Sequence, residues 1–472
     1  MLFNSYVFVL LFLPLVLGGF FLIGRLNKHM LAHLWLVVAS ILFYGWFNFS
    51  YVWILLFSAL SNYGCLMLMR TFRNSGRGLR GLFLAAGLLL NLGLLGYYKY
   101  SDFLIDNADR LLGTSFAPLH LLLPLGISFF TFQQIAYLVD VYRGQGEADI
   151  PFLEYILFVT FFPQLVAGPI VHHGEMMPQF THDETLRPNA NNLASGLYLF
   201  SIGLAKKVII ADQVAVWATR GFDQIPELTF FQAWFTALAY TFQIYFDFSG
   251  YCDMAMGLAK MFNINLPVNF DSPYQAVNIR DFWHKWHMTL GRFLAHYVYF
   301  PLGGSKGGAL RTCLNLEVTF LISGLWHGAG WTFICWGGLH GIALVTHRVW
   351  SACGFRMSPM AGRLVTFLFV VVSWVVFRAQ TWAGALKVWR GMVSWPDFDG
   401  QAISAIVKPG FSAGESLFIM TALLAGCLLC RNAVDRFHRF RPTRWAWSET
   451  AAFLIVSILL MSRISPFIYF NF

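Results

Sequence analysis

The chain has 472 residues, 57% of them hydrophobic and only 12% charged, with a mean hydropathy of +0.60. A soluble domain carries about 25% charged residues, so a soluble enzyme is excluded and a lipid-solvated chain is expected. The net charge of +9 comes from arginines clustered in short connections between apolar segments, which points to cytoplasmic loops and away from nucleic acid.

Apolar segments of the roughly 20 residues needed to cross a bilayer are predicted near 7–24, 31–48, 51–69, 81–98, 116–138, 152–171, 191–211, 229–246, 313–326, 331–349, 363–377, 414–430 and 448–464. No charge precedes the first segment and no small-residue cleavage site follows it, so it is expected to stay as a helix. Only Phe49 and Ser50 separate the second and third segments. The next connection holds Arg70, Arg73, Arg77 and Arg80 without an acid, a cytoplasmic signature. Counting back puts Arg25 and Lys28 in the cytoplasm and the N-terminus in the periplasm. A second basic loop, with Arg431, Arg436, Arg439, Arg441 and Arg444 against Asp435, is also expected to be cytoplasmic. The seven cysteines show no metal or disulfide spacing except Cys427-x-x-Cys430, which lies in an apolar run and is read as helix packing. One membrane-embedded domain is predicted, with an N-terminal bundle over 7–228, a core over 229–349 and C-terminal helices over 350–472.

The stretch 247–312 breaks the pattern. It is rich in Trp, His, Tyr and Asn, and Pro267, Pro273 and Pro301 should divide it into short helices. Irregular polar backbone at membrane depth is tolerated only where protein buries it or it lines a cavity, so a central cavity is expected here. Tyr245 to Gly257 places Asp247 and Ser249 in apolar surroundings. Asp281-Phe-Trp-His-Lys-Trp-His287 carries His284 and His287, one turn apart and on one face if the segment is helical. Tyr299-Phe-Pro-Leu-Gly-Gly304 follows, then Gly324-Leu-Trp-His-Gly-Ala-Gly-Trp331 and Trp336-Gly-Gly-Leu-His-Gly341.

His327 is the leading catalytic candidate. It lies between two apolar spans, with Gly324, Gly328 and Gly330 allowing close approach of backbone or ligand. An ionisable group at that depth is a functional hypothesis by default, and neutral imidazole accepts a proton at physiological pH. The bland alternative is a histidine satisfied by one helix–helix hydrogen bond. Trp326, His284 and His340 are candidates to line the same cavity. A metal site of His284, His287 and His327 lacks an accompanying Glu or Cys, and His-Lys-Trp-His lacks the glutamate of H-E-x-x-H, so no metal is expected. Gly410-Phe-Ser-Ala-Gly414, with Asp435 and His438 beyond, mimics a hydrolase string but lacks its strand–turn–helix setting and is read as chance.

Taken together, these strings resemble the membrane-bound O-acyltransferase family, and within it the bacterial alginate O-acetylation branch, with the teichoic acid D-alanylation proteins as relatives. The resemblance covers nearly the whole chain. It includes Asn4-Ser-Tyr-Val-Phe8, Gly126 to Phe132, Asp140-Val-Tyr-Arg-Gly144, Phe161 to Pro169, Lys206-Lys-Val208, Phe377-Arg-Ala379 and Phe467 to Phe472. It implies an all-α polytopic fold, a ring of about 11–13 tilted helices with short and re-entrant helices around a central funnel. The family's histidine maps to His327 and its second polar position to His287. Where the branch shows two arginines before Trp-His this chain has His284 and Lys285, and Ala295 and His296 replace its Arg-Asp.

The resemblance further implies acetyl transfer from cytoplasmic acetyl-CoA, a substrate and not a bound cofactor, across the bacterial inner membrane toward an exopolysaccharide such as alginate or cellulose. His327 would be the general base, with His287 holding the substrate or orienting the base. Lys206, Lys207, Lys285, Lys306 and Arg311 are candidates to meet the CoA phosphates. The expected partner is a periplasmic serine-type (SGNH-like) acetyltransferase. Two rival readings are a transporter that flips a lipid-linked sugar or acyl group without chemistry, and an intramembrane metalloenzyme.

Overall fold

The computed structural model describes residues 1–74, 76–146, 149–396, 403–407, 411–461 and 467–468. The chain is 76% helical with no strand among the described residues. Ser50–Thr71, Arg77–Leu112, Ala190–Gln224 and Pro359–Arg378 are long and apolar enough to cross a membrane, and Phe8–Gly24, His29–Gly45 and Ala413–Leu429 are shorter apolar helices. Leucines such as Leu10, Leu22, Leu42, Leu89 and Leu364 stand more than half exposed, the surface expected of helices solvated by lipid.

Several predicted boundaries move, each for a local reason. The segment near 116–138 is helical only from Ile127. Pro118 and Pro124 interrupt what precedes it. Gly126 adopts φ +71°, where an added Cβ would lie 2.9 Å from the Leu165 carbonyl oxygen. The segment near 152–171 is two pieces, Phe152–Thr160 and Phe162–Leu165, broken ahead of Pro163. The span placed at 229–246 runs on as a single helix, Phe230–Met261, so the irregular stretch begins near 262 and not at 247. The polar Tyr245–Gly257 string lies inside that helix because it contains neither proline nor an exposed turn. The short helices Ile279–Lys285 and Met288–Leu294 follow.

Close contacts divide the chain into two compact units that interleave in sequence. The first comprises Met1–Ile202, Tyr251–Pro267 and Phe440–Ala452, the second Gly203–Gly250, Val268–Arg439 and Phe453–Phe472. A cluster of Phe3, Phe8, Phe12, Phe43 and Phe162 fills the first. There the amides of Asn62 and Asn91 donate to each other's oxygens at 3.2 and 2.6 Å, so two helices satisfy their buried polar groups across the contact. In the second, the Lys387 ammonium donates to the carbonyls of Gly221, Phe222 and Ile225 at 3.0, 2.8 and 2.6 Å and closes the C-terminal end of Ala190–Gln224. Arg378 pairs with Asp223 at 2.6 Å.

Candidate active site

Every residue of the site belongs to the second unit. His327 is the last residue of the helix Ala309–His327, which turns through 328–330 into Trp331–Ala352. Glycines let the two helices touch backbone to backbone. A Cβ on Gly324 would sit 2.3 Å from the Phe333 oxygen, and one on Gly337 would sit 2.3 Å from the Phe320 oxygen. The glycine frame around His327 therefore serves helix packing, and Gly328 is filled by the Phe333 ring. The result is a histidine 3% exposed, with its ring edge-on to Trp326, Trp336 and Phe377 at 4.9, 5.0 and 5.2 Å.

His287 reaches the same place from the connection between two short helices. The helix Ile279–Lys285, capped by the Asn278 side chain accepting from the Asp281 amide, ends at Trp286. His287 then adopts φ 45°, ψ 51°, a left-handed conformation costing a non-glycine residue about 1–3 kcal/mol. That break removes the common helical face expected for His284 and His287: His284 is exposed while His287 is fully buried. The His287 ring meets Phe248 edge-on at 4.8 Å, Trp326 at 6.0 Å and His327 at 6.4 Å between ring centres. At 6.4 Å the nearest ring nitrogens are at least about 4 Å apart, too far for a direct hydrogen bond but suited to one bridging oxygen. The two histidines thus stand together in an aromatic enclosure of low polarity, where hydrogen bonds and developing charge interact strongly.

His340 is close by but committed. Its Nδ1 accepts from Trp283 Nε1 at 3.2 Å, and its Nε2 lies 3.0 Å from the Ser373 hydroxyl, whose own proton goes to the Val370 oxygen. With both nitrogens bonded and no exposure, His340 ties three helical segments together. Asp247 lies on the Phe230–Met261 helix beside Phe248 but is engaged elsewhere. Lys207 Nζ pairs with Asp247 at 2.8 Å and Asp212 at 2.9 Å, and the second Asp247 oxygen accepts from the Ile468 amide at 2.8 Å. Lys207 is 4% exposed. It balances two acids and is removed from the side chains available to phosphate. Lys206 donates to Ser249 at 3.4 Å and lies over the Tyr245 ring. Lys285 pairs with Asp281 at 3.2 Å, whereas Lys306 and Arg311 are exposed.

Reading the sequence missed Asn269, Phe248, Trp336 and Phe377. The signal for Asn269 was an asparagine after Pro267-Val in the proline-rich stretch. The three aromatics stood inside strings already singled out, but aromatic residues are common throughout the chain and nothing marked these rings as walls of the site. Ser412 forms a helix-capping box with Glu415, its Oγ accepting from the Glu415 amide at 3.1 Å. Its resemblance to a nucleophile is therefore a cap. Gly410 of that string and residues 469–472 of the closing string lie outside the described residues. Cys427 is buried and Cys430 exposed, both as free thiols. Among the described residues no three His, Cys, Asp or Glu side chains gather into a metal site.

Residues 147–386, which contain both histidines, match the membrane-bound O-acyltransferase (MBOAT) family. The chain is 42% identical to a peptidoglycan O-acetyltransferase of Helicobacter pylori, over all of this chain and 98% of that one. It is 38% identical to a probable alginate O-acetylase AlgI of Pseudomonas aeruginosa, over 93% and 82%. A teichoic acid D-alanyltransferase of Bacillus subtilis matches 56% of the chain at 24% identity. These relatives are enzymes, which removes the reading as a transporter without chemistry. The chain belongs to the membrane-bound O-acyltransferase family, and it is an O-acyltransferase.

Proposed function

We propose that the protein moves acetyl groups from acetyl-CoA for O-acetylation of an exported cell-envelope polysaccharide, with His327 as general base and His287 as the group that orients it. The observation that carries this reading is the pair of buried imidazoles 6.4 Å apart, enclosed by aromatic rings. The relatives supply the acceptor class, since their names give peptidoglycan and alginate.

In this reading a hydroxyl oxygen attacks the thioester carbonyl as His327 takes the hydroxyl proton. The C–O bond forms, the C–S bond breaks, and the proton returns from His327 to the CoA thiolate. The aromatic walls exclude water, which would otherwise hydrolyse the thioester. Lys206, Lys285, Lys306 and Arg311 are the basic groups left to meet the CoA phosphates once Lys207 is set aside. In this reading the basic loops face the cytoplasm and the N-terminus the periplasm, in keeping with the excess of arginine in those loops.

The immediate acceptor is a serine hydroxyl of a periplasmic SGNH-like acetyltransferase, because a buried histidine pair suits a narrow opening better than a long hydrated polymer. Reconstitution tests this. Purified protein in liposomes should bind or slowly hydrolyse acetyl-CoA yet leave polymer unmodified until that partner is added. Efficient acetylation of free polysaccharide by the isolated protein would replace the relay with direct transfer.

A further inference from the structure

Asn269 is buried at 1% exposure, and its side-chain oxygen gathers three donors. These are the Thr289 backbone N–H at 3.2 Å, the Thr289 hydroxyl at 2.9 Å and His287 Nδ1 at 3.2 Å. A backbone N–H can only donate, so the atom it faces is the oxygen of the carboxamide and not its nitrogen. That oxygen cannot give a proton to His287, so the hydrogen in the contact belongs to Nδ1. Neutral imidazole carries one such hydrogen, which leaves Nε2 as a bare acceptor. Nε2 is buried and makes no hydrogen bond to any described residue, a situation uncommon enough in folded proteins to call for a ligand or a working role.

The backbone fixes the ring as firmly. The Met288 amide donates to the Asn269 carbonyl and the Gly291 amide to the His287 carbonyl, both at 3.0 Å. These bonds hold His287 in its left-handed conformation, at φ 45°. Asn269 therefore holds the His287 ring through its side chain and the next residue, Met288, through its main chain.

We propose that Asn269 is a positioning residue that locks His287 in the Nδ1–H tautomer, so that Nε2 acts only as a hydrogen-bond acceptor, through one bridging oxygen, toward the imidazolium that His327 becomes during transfer. This rests on the reading of His327 as base. A neutral His287 so locked cannot donate to a substrate oxygen. It orients His327 and stabilises the imidazolium across the gap, as an outer partner does for a metal-bound or catalytic histidine.

The test uses the full-length protein in lipid nanodiscs with 15N-labelled histidine, the His287 signals being identified by their loss in His287→Gln. Wild type should show protonated Nδ1 and bare Nε2. Asn269→Asp retains an oxygen acceptor and should keep Nδ1 protonated. Thr289→Val should keep the wild-type pattern, because the backbone N–H still orients the carboxamide. Asn269→Leu should lose the pattern, with kcat down about 10–100-fold and KM for acetyl-CoA unchanged. If Asn269→Leu fails to insert, the wild-type, Asn269→Asp and Thr289→Val spectra decide. Protonated Nε2 in wild type, or an inserted Asn269→Leu variant with the wild-type pattern and kcat, overturns the proposal. The expected tautomer together with full activity in His287→Gln would instead sink the catalytic reading and leave the tautomer lock standing.

Discussion

Gly337→Ala probes how the helix hairpin places His327. The added methyl would sit 2.3 Å from the Phe320 carbonyl oxygen and 3.2 Å from the Gly324 Cα. Both neighbours are backbone and cannot rotate away. To restore ordinary contact the helices Ala309–His327 and Trp331–Ala352 must part by about 1 Å, and overpacking of this kind costs about 1–3 kcal/mol. Trp336 precedes Gly337 and rests edge-on against His327, so the displacement passes directly to the site. A misplacement of about 1 Å costs on the order of 10²-fold in rate. The assay is O-acetyl content of the envelope polymer in complemented cells, normalised to membrane-inserted protein, with a thermal midpoint in detergent. Gly426→Ala serves as control, because nothing lies within 4 Å of its Cβ position, and should change neither readout. Wild-type activity and midpoint in Gly337→Ala would refute the argument that backbone contact between these helices sets the site.

Lys207→Met removes the cation from the buried Asp247 carboxylate and from the half-buried Asp212, a loss of about 3–5 kcal/mol. Inserted protein should fall sharply, and the double variant with Asp247→Leu should recover part of it; unchanged levels in the single variant would refute the pairing. His340→Leu strands the Trp283 indole N–H and should cost about 1–3 kcal/mol in melting experiments, while turnover per folded molecule stays near wild type; a selective loss of turnover would make His340 part of the chemistry. Cysteines introduced near Arg77 and Arg439 should both be shielded from an impermeant thiol reagent outside intact cells, given the excess of arginine in those loops. Labelling of either one would reverse the orientation.

The sequence announced the broad features of the fold and placed both histidines, but not how they meet. Long apolar runs have one outcome in lipid, a helix, so the spans at Ser50–Thr71 and Pro359–Arg378 were legible within a few residues. Polar residues inside a buried helix carry no such signal. Asp247 stood in apolar surroundings at the start of the stretch read as irregular, yet Lys207, 40 positions earlier, neutralises it and the helix continues to Met261. The fate of a lysine depends likewise on partners distant in sequence, which is why Lys207 read as a phosphate contact. His287 was legible as a candidate through the Asp281–His287 string and the family position that it matches. Its left-handed backbone and its bond to Asn269 were not, since both depend on pairing across 18 residues of irregular chain. His340 and His327 share glycine-rich contexts, and only the fold brings Trp283 and Ser373 to the two nitrogens of the His340 ring.

The account rests most heavily on His327, and the most direct measurement is release of free CoA thiol from acetyl-CoA by the reconstituted protein with the proposed periplasmic partner. His327→Asn should lower the rate by about 10²–10⁴ with insertion and thermal midpoint close to wild type. A near wild-type rate in that variant would contradict the assignment of His327 as the base and, with it, the chemistry proposed for this site.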